Sequence, residues 1–454
     1  MSSAVTDPAQ PQQAKTGLAG DPMREAAALQ PEQANSGLAA SLQAIPSLRT
    51  NFKWTFAGSM IYAGCQWGML SILAKAGSAT IVGQFALGLA IAAPVFMFTN
   101  LQLRGVQATD ARSEFEFCDY FTLRLLASTL GLITVAAIAF TLRYDLTTRL
   151  VVILVAAAKT VESLSDVVAG LLQKFERLDQ VAVSLMIRGA LSVAAFGGTF
   201  LATHRLTLAV AAMVLTWIAV FAVYDLWRAR GVLGSRAIFF RLRGAVVRKL
   251  LVLSAPLGVV MALVSLNINL PRYLLVKYMG QAELGIFASM AYLVVAAILI
   301  INALGQSASA RLARMFAEGD RAGFWRVIKK LLFTALLVPA AGVPIALLFG
   351  RRLLTLLYRP EYGEHVSVLV ILLAVTGLTA IASFMGYGLT AARAFRIQPV
   401  IIGATALTTL VMCVILIPRF GLNGAALALL SSEIVYAGSA TLALLYAVRT
   451  TKRA

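Results

Sequence analysis

Beyond about residue 50, apolar residues do not alternate with polar ones in the rhythm of a strand or of a one-faced helix. They run on for about 20 positions at a time and then break for a few polar or basic residues. Such a run suits a helix surrounded by lipid, because about 20 residues at 1.5 Å each cross a hydrocarbon core of roughly 30 Å. Twelve runs fit between Trp54 and Val448, at 54–74, 80–103, 121–142, 149–173, 181–203, 206–227, 249–270, 282–306, 327–349, 366–389, 398–417 and 422–448. The pattern predicts an all-α membrane protein of about twelve transmembrane helices. Residues 1–46 differ: they are rich in Ala, Gln, Pro and Gly and lack the basic-then-apolar layout of a signal peptide, so a disordered tail is expected. Within that tail 11–19 is repeated at 31–39, which reads as a spacer.

Charge then sets the orientation. Only 13% of residues are charged against 59% hydrophobic, so the formal charge of +19 does not point to nucleic acid, as it would in a soluble chain. The cations sit between helices instead. Arg228, Arg230, Arg236, Arg241, Arg243, Arg248 and Lys249 follow the sixth span, and Arg311, Arg314, Arg321, Arg326, Lys329 and Lys330 follow the eighth. The other side has scattered cases: Arg143, Arg149, Arg205, Arg351, Arg352, Arg359 and Arg419. By the positive-inside rule both termini face the cytoplasm.

A spaced match divides the chain in two. Lys75, Gly83, Phe85, Ala86 and Asn100 recur as Lys277, Gly285, Phe287, Ala288 and Asn302, a constant offset of 202. An even number of spans separates the copies, so the repeat is parallel and the lobes are related by an axis along the membrane normal. The expected organisation is a cytoplasmic tail (1–48), an N-lobe of helices 1–6 (49–228), a basic cytoplasmic linker (229–248), a C-lobe of helices 7–12 (249–448) and a cytoplasmic C-terminus (449–454). Cys65, Cys118 and Cys413 lie far apart, the only histidines are His204 and His365, and no phosphate-binding G-x-x-x-x-G-K-[ST] loop occurs. Hence no metal, cofactor, catalytic constellation or ATP-driven step is expected.

Three stretches resemble a known family. They are "VLSAPLGVVMALVSLNINLPRYLLVKYMGQAELGIFASMA" (252–291), "LYRPEYGEHVSVLVILLAVTGLTAIASFMGYGLTAARAF" (357–395) and "LIPRFGLNGAALALLSSEIVY" (416–436). They are similar to the polysaccharide transporters, the lipid-linked oligosaccharide flippases within the multidrug/oligosaccharidyl-lipid/polysaccharide exporter superfamily. The resemblance implies a bacterial inner-membrane protein of O-antigen, capsule or exopolysaccharide synthesis. It also implies an undecaprenyl-diphosphate-linked oligosaccharide as substrate, the bilayer as solvent, and a polymerase and chain-length regulator as candidate partners. Cation-coupled drug antiporters share the scaffold and stay open as the alternative. They would be expected to carry an acid in the first span, and 54–74 has none. A non-transporting membrane scaffold is the third reading.

Charged residues inside spans cost a few kcal/mol each and so mark an interior cavity or a paired network. Lys159, Glu162 and Asp166 share a face of the fourth span with Gln173 beyond them, and Arg188 in the fifth lies at about the depth of Asp166. The expected pairs are Lys159 with Glu162 and Asp166 with Arg188. Either these residues only lock helices together, or a cation meets substrate phosphate and an acid (Glu162 or Asp166) couples to an ion. Arg272 and Lys277 at the end of the seventh span are candidates for substrate phosphate or for headgroup contact. Asn267 and Asn269 are candidates for sugar hydroxyls or interhelical bonds, and the isolated Glu433 is a candidate ion-coupling site.

Overall fold

The computed structural model describes residues 47–450 except 111, 143, 235–238 and 395–396. The tail with its duplication, Arg143, Arg236 and residues 451–454 lie outside the described residues.

Twelve long helices follow one another: α1 (Leu48–Ala76), α2 (Ala79–Thr109), α3 (Phe117–Thr141), α4 (Leu146–Lys174), α5 (Leu178–Thr203), α6 (Leu206–Leu233), α7 (Gly244–Met279), α8 in two segments (Gln281–Leu293 and Val295–Ala317), α9 (Arg321–Leu357), α10 (Val366–Ala391), α11 (398–420) and α12 (422–450). Gly421, at φ 55°, makes the break between the last two. Every predicted span falls on one of these helices. The helices run further, by more than ten residues in α8, because amphipathic turns extend past the apolar run. Among the described residues nine stretches are long and apolar enough to cross a membrane on length and hydropathy alone, the last of them holding α11 and α12 together. Helices α1 and α4 fall short because they carry polar side chains within the span: Tyr62 and Gln66 on α1, Lys159, Glu162 and Asp166 on α4.

Helices α1–α6 form one lobe and α7–α12 the other, and the repeat has a direct geometric counterpart. A Cβ added to Gly83 would lie 1.7 Å from the Gln281 carbonyl oxygen, and one added to Gly285 would lie 1.9 Å from the Ala79 carbonyl oxygen. Gln281 is the repeat partner of Ala79 and Gly285 that of Gly83, so α2 and α8 cross backbone to backbone in a self-complementary contact of twofold type. Small residues permit such an approach in lipid, where packing rather than water expulsion drives association.

That crossing lies at the face opposite the basic loops, and the core follows it. One hydrophobic cluster there unites both lobes, with Met69, Phe85 and Phe200 of the first packed with Leu284, Phe287 and Tyr358 of the second. Towards the basic face the core splits. Ile301, Leu312, Phe324, Phe384 and Leu444 form a C-lobe cluster, while Phe115, Tyr120, Val168 and Leu171 form another with Val247 and Leu250 of α7. Apart from α7, whose first turns pack on the N-lobe, the lobes are therefore joined at the far face and parted at the basic one.

Polar contacts reinforce the joined end. The Lys75 ammonium donates to the Thr355 and Leu356 carbonyls at 3.1 and 3.0 Å, and Arg359 Nε donates to the Lys75 carbonyl at 3.3 Å. Each cation thus caps the other lobe's helix C-terminus, where carbonyls lack intrahelical donors and the dipole is negative. Trp67 Nε1 donates to the Tyr358 hydroxyl at 3.0 Å, which donates to the Ser289 carbonyl at 3.0 Å.

The segment before α7 folds back on the N-lobe. Arg243 grips Asp119 with two bonds, 3.0 and 2.7 Å, and Glu116 with a third at 3.0 Å. The Arg243 guanidinium bonded to Glu116 holds that carboxyl below the usual range. A depressed carboxyl pKa stabilises the fold above its unfolded value of about 4.3 and ceases to do so as pH falls through the folded value, so this clasp is intact at neutral pH. Arg243→Ala is expected to leave the buried Asp119 without its cation and to speed trypsin cleavage after Arg241 several-fold at pH 7.5, read by gel on the purified protein. Unchanged cleavage would show that the clasp does not hold the segment.

Candidate functional site

The charged residues converge on α4, whose face at steps of three and four turns into the N-lobe. Near mid-membrane Lys159 Nζ donates to Glu162 Oε2 at 2.6 Å, the expected local pair. The Tyr62 hydroxyl of α1 lies 3.5 Å from Glu162 and accepts from Gln66 at 2.8 Å. One turn on, Asp166 bridges two guanidinium groups, Arg104 at 3.3 Å and Arg124 at 3.1 Å. Arg124 is fully buried and also donates to the Asn100 amide oxygen, which Ser163 engages at 2.8 Å; Arg104 reaches Gln173 at 3.0 Å.

The expected pairing of Asp166 with Arg188 is not formed. Arg188 Nη2 donates instead to Asp225 Oδ2 at 3.1 Å, with both side chains 4% exposed. Ser184 donates to the other Asp225 oxygen at 2.6 Å, and the Trp217 ring lies 5.6 Å from the guanidinium carbon. The cause is local geometry in α6: a π-helical turn at Phe221–Asp225 interrupts the regular period, and Asp225 lies buried on the side of α5. Asp166 is in turn engaged by Arg104 and Arg124, cations that sequence reasoning passed over. Arg124 carried the signal, a lone cation inside an apolar span; Arg104 stood one residue beyond the assumed end of its span.

Three cavities border this network and share its residues. One of about 160 Å³ lies among Tyr62, Gln66, Lys159, Glu162, Trp217 and Tyr292. A second of about 330 Å³ is lined by Asn100, Lys159, Glu162, Ser163 and Asp166, with Met261 of α7 on its far wall, so it lies between the lobes. The third, of about 130 Å³, lies between Arg104, Asp166, Ser184, Arg188 and Asp225. Four cations, Arg104, Arg124, Lys159 and Arg188, face three carboxylates, Glu162, Asp166 and Asp225, leaving one positive charge in excess. On the other side of α2 an apolar cavity of about 650 Å³ runs between α2, α3 and α7, lined by Ile91, Phe98, Leu130, Ile138, Leu266 and Tyr273.

The remaining candidates lie apart from this network. Arg272 Nη1 donates to Asn269 Oδ1 at 3.1 Å, and Asn269 Nδ2 donates to the Ser265 carbonyl at 2.8 Å within α7. Asn267 Oδ1 is buried without a hydrogen-bond partner. Lys277 is exposed over the ring of neighbouring Tyr278. Glu433 forms no salt bridge among the described residues and has one carboxylate oxygen buried without a partner. No cluster of potential metal ligands occurs among the described residues.

No family model matches the chain. A curated relative, the capsular polysaccharide biosynthesis protein CapF of Staphylococcus aureus, is 30% identical over 388 residues, which is 85% of this chain and 96% of the relative. Among solved structures, a transporter of the MOP superfamily from Pyrococcus furiosus superposes with a TM-score of 0.60 at 13% identity, covering 88% of this chain and 94% of that one. A multidrug resistance transporter of the MATE family in an inward-facing conformation gives 0.60 at 13% identity, covering 92% and 98%. At such identities these structures speak for the fold alone: a multi-pass, two-lobe helical membrane protein.

Proposed function

The chain belongs to the polysaccharide transporter family of the multidrug/oligosaccharidyl-lipid/polysaccharide exporter superfamily, and from that premise we propose that it carries lipid-linked oligosaccharide units across the bacterial inner membrane for surface polysaccharide synthesis. One observation carries the reading: a cation-rich polar tract inside the N-lobe stands beside an apolar cavity of about 650 Å³ on the same helix, α2. A lipid diphosphate needs both. Its charged head must be hidden from hydrocarbon, where unsatisfied polar groups cost several kcal/mol, while its isoprenoid chain stays in apolar surroundings.

Lys159 is the residue we assign to phosphate. It borders two of the polar cavities, and among the described residues its one salt bridge is to an acid on its own helix, so an incoming phosphate competes with one flexible partner. Arg124 and Arg188 are buried in networks that brace the lobe. With the basic loops in the cytoplasm, the parted lobes open inward, the side on which such lipids are assembled. Rocking the lobes about the α2–α8 crossing would present the tract to the other leaflet. The reaction is transport, without bond chemistry. The drug-antiporter alternative finds less support, because the excess charge in the tract is positive.

Lys159→Ala is expected to cut surface polymer at least tenfold while protein level in the membrane stays within about twofold, roughly the loss of one desolvated charge-assisted contact. Full polymer from the variant would remove Lys159 from the pathway.

A further inference from the structure

The C-lobe contains a cavity at the repeat-equivalent place with opposite chemistry. The N-lobe cavity of Arg104, Asp166, Arg188 and Asp225 is built on α2, α4, α5 and α6. Its counterpart, of about 250 Å³, is built on α8, α10, α11 and α12 and lined by Asn302, Ser383, Tyr387, Thr390, Gln398 and Tyr436. None of these lining side chains is charged. Duplication placed Asn100 and Asn302 at matching positions, yet Asn100 is held by Arg124 and Ser163 whereas Asn302 is exposed at the cavity.

Two glycines shape this C-lobe cavity. A Cβ on Gly305 would lie 2.1 Å from the Tyr387 ring, so that ring is seated against the α8 backbone. A Cβ on Gly386 would meet only the Tyr436 hydroxyl, at 3.8 Å, so the space above Gly386 is free. The result is two tyrosines with hydroxyl and amide groups that donate and accept, and no ion. Gln398 Nε2 donates to Thr390 at 3.2 Å, which fixes the amide orientation at one end. Neutral polyols are matched by this set: ring hydroxyls exchange hydrogen bonds with amides and hydroxyls, and their CH faces lie on aromatic rings. A phosphate is not, for want of a cation.

We propose that this C-lobe cavity is a binding site for uncharged sugar residues, so that the two lobes divide the substrate, diphosphate to the N-lobe and oligosaccharide to the C-lobe. The inference rests on the transport reading above and adds the lobe that reads the sugar. At the basic face the cavity lies on the open side of the molecule, where the head group enters.

The test uses the purified full chain in lipid nanodiscs and two probes: undecaprenyl diphosphate without sugars, and the lipid-linked repeat unit extracted from the source cells. Wild type is expected to bind the sugar-bearing lipid about tenfold more tightly than the bare diphosphate, a gain typical of a few satisfied hydrogen bonds. Gly386→Leu, which fills the cavity, and Gln398→Ala, which removes an amide, should each bring that ratio towards one while affinity for the bare diphosphate stays within about twofold. Each variant's intact affinity for the bare lipid also reports that it is folded. An unchanged ratio in both variants, or equal affinity of wild type for the two lipids, overturns the sugar site and leaves the transport reading standing. Failure of wild type to bind either lipid overturns the transport reading itself.

Discussion

Replacing Gly83 by alanine is expected to unseal the far face and to reduce polymer export at least tenfold. The new methyl carbon would stand 1.7 Å from the Gln281 carbonyl oxygen, a backbone atom that no side-chain rotation can move aside. Helices α2 and α8 must then separate, and with them the shared apolar core around Phe85 and Phe287. Gly285→Ala should do the same from the other lobe, because its methyl meets the Ala79 carbonyl oxygen at 1.9 Å. The check is thiol accessibility. In a background without the three native cysteines, a cysteine at Ala86, now 3% exposed, should resist a membrane-impermeant maleimide in the parent and react rapidly once Gly83→Ala is added. Equal protection in both would mean that the crossing does not seal the protein.

Asp166→Asn is the substitution expected to harm stability most. It withdraws the carboxylate shared by Arg104 and Arg124, and Arg124 has no solvent to turn to, being fully buried. Breaking a buried pair from one side costs about 3–5 kcal/mol, because the remaining charge stays in a medium that cannot solvate it. A large fall in thermal midpoint in detergent is expected. Adding Arg124→Met to the variant should recover part of it, since removing both charges leaves none stranded. If Asp166→Asn alone melts with wild type, the bridge is not structural. In that case Asp166 is released from the bracing role and becomes available for ion coupling. Lys159→Ala should melt close to wild type, since its partner Glu162 keeps access to a cavity.

The sequence and the folded chain agree where the physics is local. Apolar runs of about 20 residues specify crossing helices almost by themselves, and Lys159 with Glu162 pair because a spacing of three puts them on one helical face. The spaced repeat around Gly83 and Gly285 pointed to two lobes, although the sequence did not reveal that these two glycines touch each other. Long-range partners were less legible. Depth in an antiparallel pair suggested Arg188 for Asp166, but depth does not say which neighbour stands beside a given face, and a π turn buried Asp225 beside α5. Lys75, at a span end where a long cation ordinarily reaches for headgroups, instead caps the end of α9 in the other lobe, an arrangement that depends on the lobes' closure. Gly388, a residue that by type alone could loosen the tenth span, is a packing position: a Cβ there would meet Leu444 of α12 at 2.7 Å within an unbroken α10.

The most direct test of the central claim is the leaflet distribution of the lipid-linked repeat unit in cells lacking this gene, measured with a membrane-impermeant label for its sugars. The transport account predicts that the unit accumulates on the cytoplasmic leaflet, protected from label, with surface polymer lost and both restored by the wild-type chain. Normal labelling from outside and normal polymer in the deleted cells would contradict it.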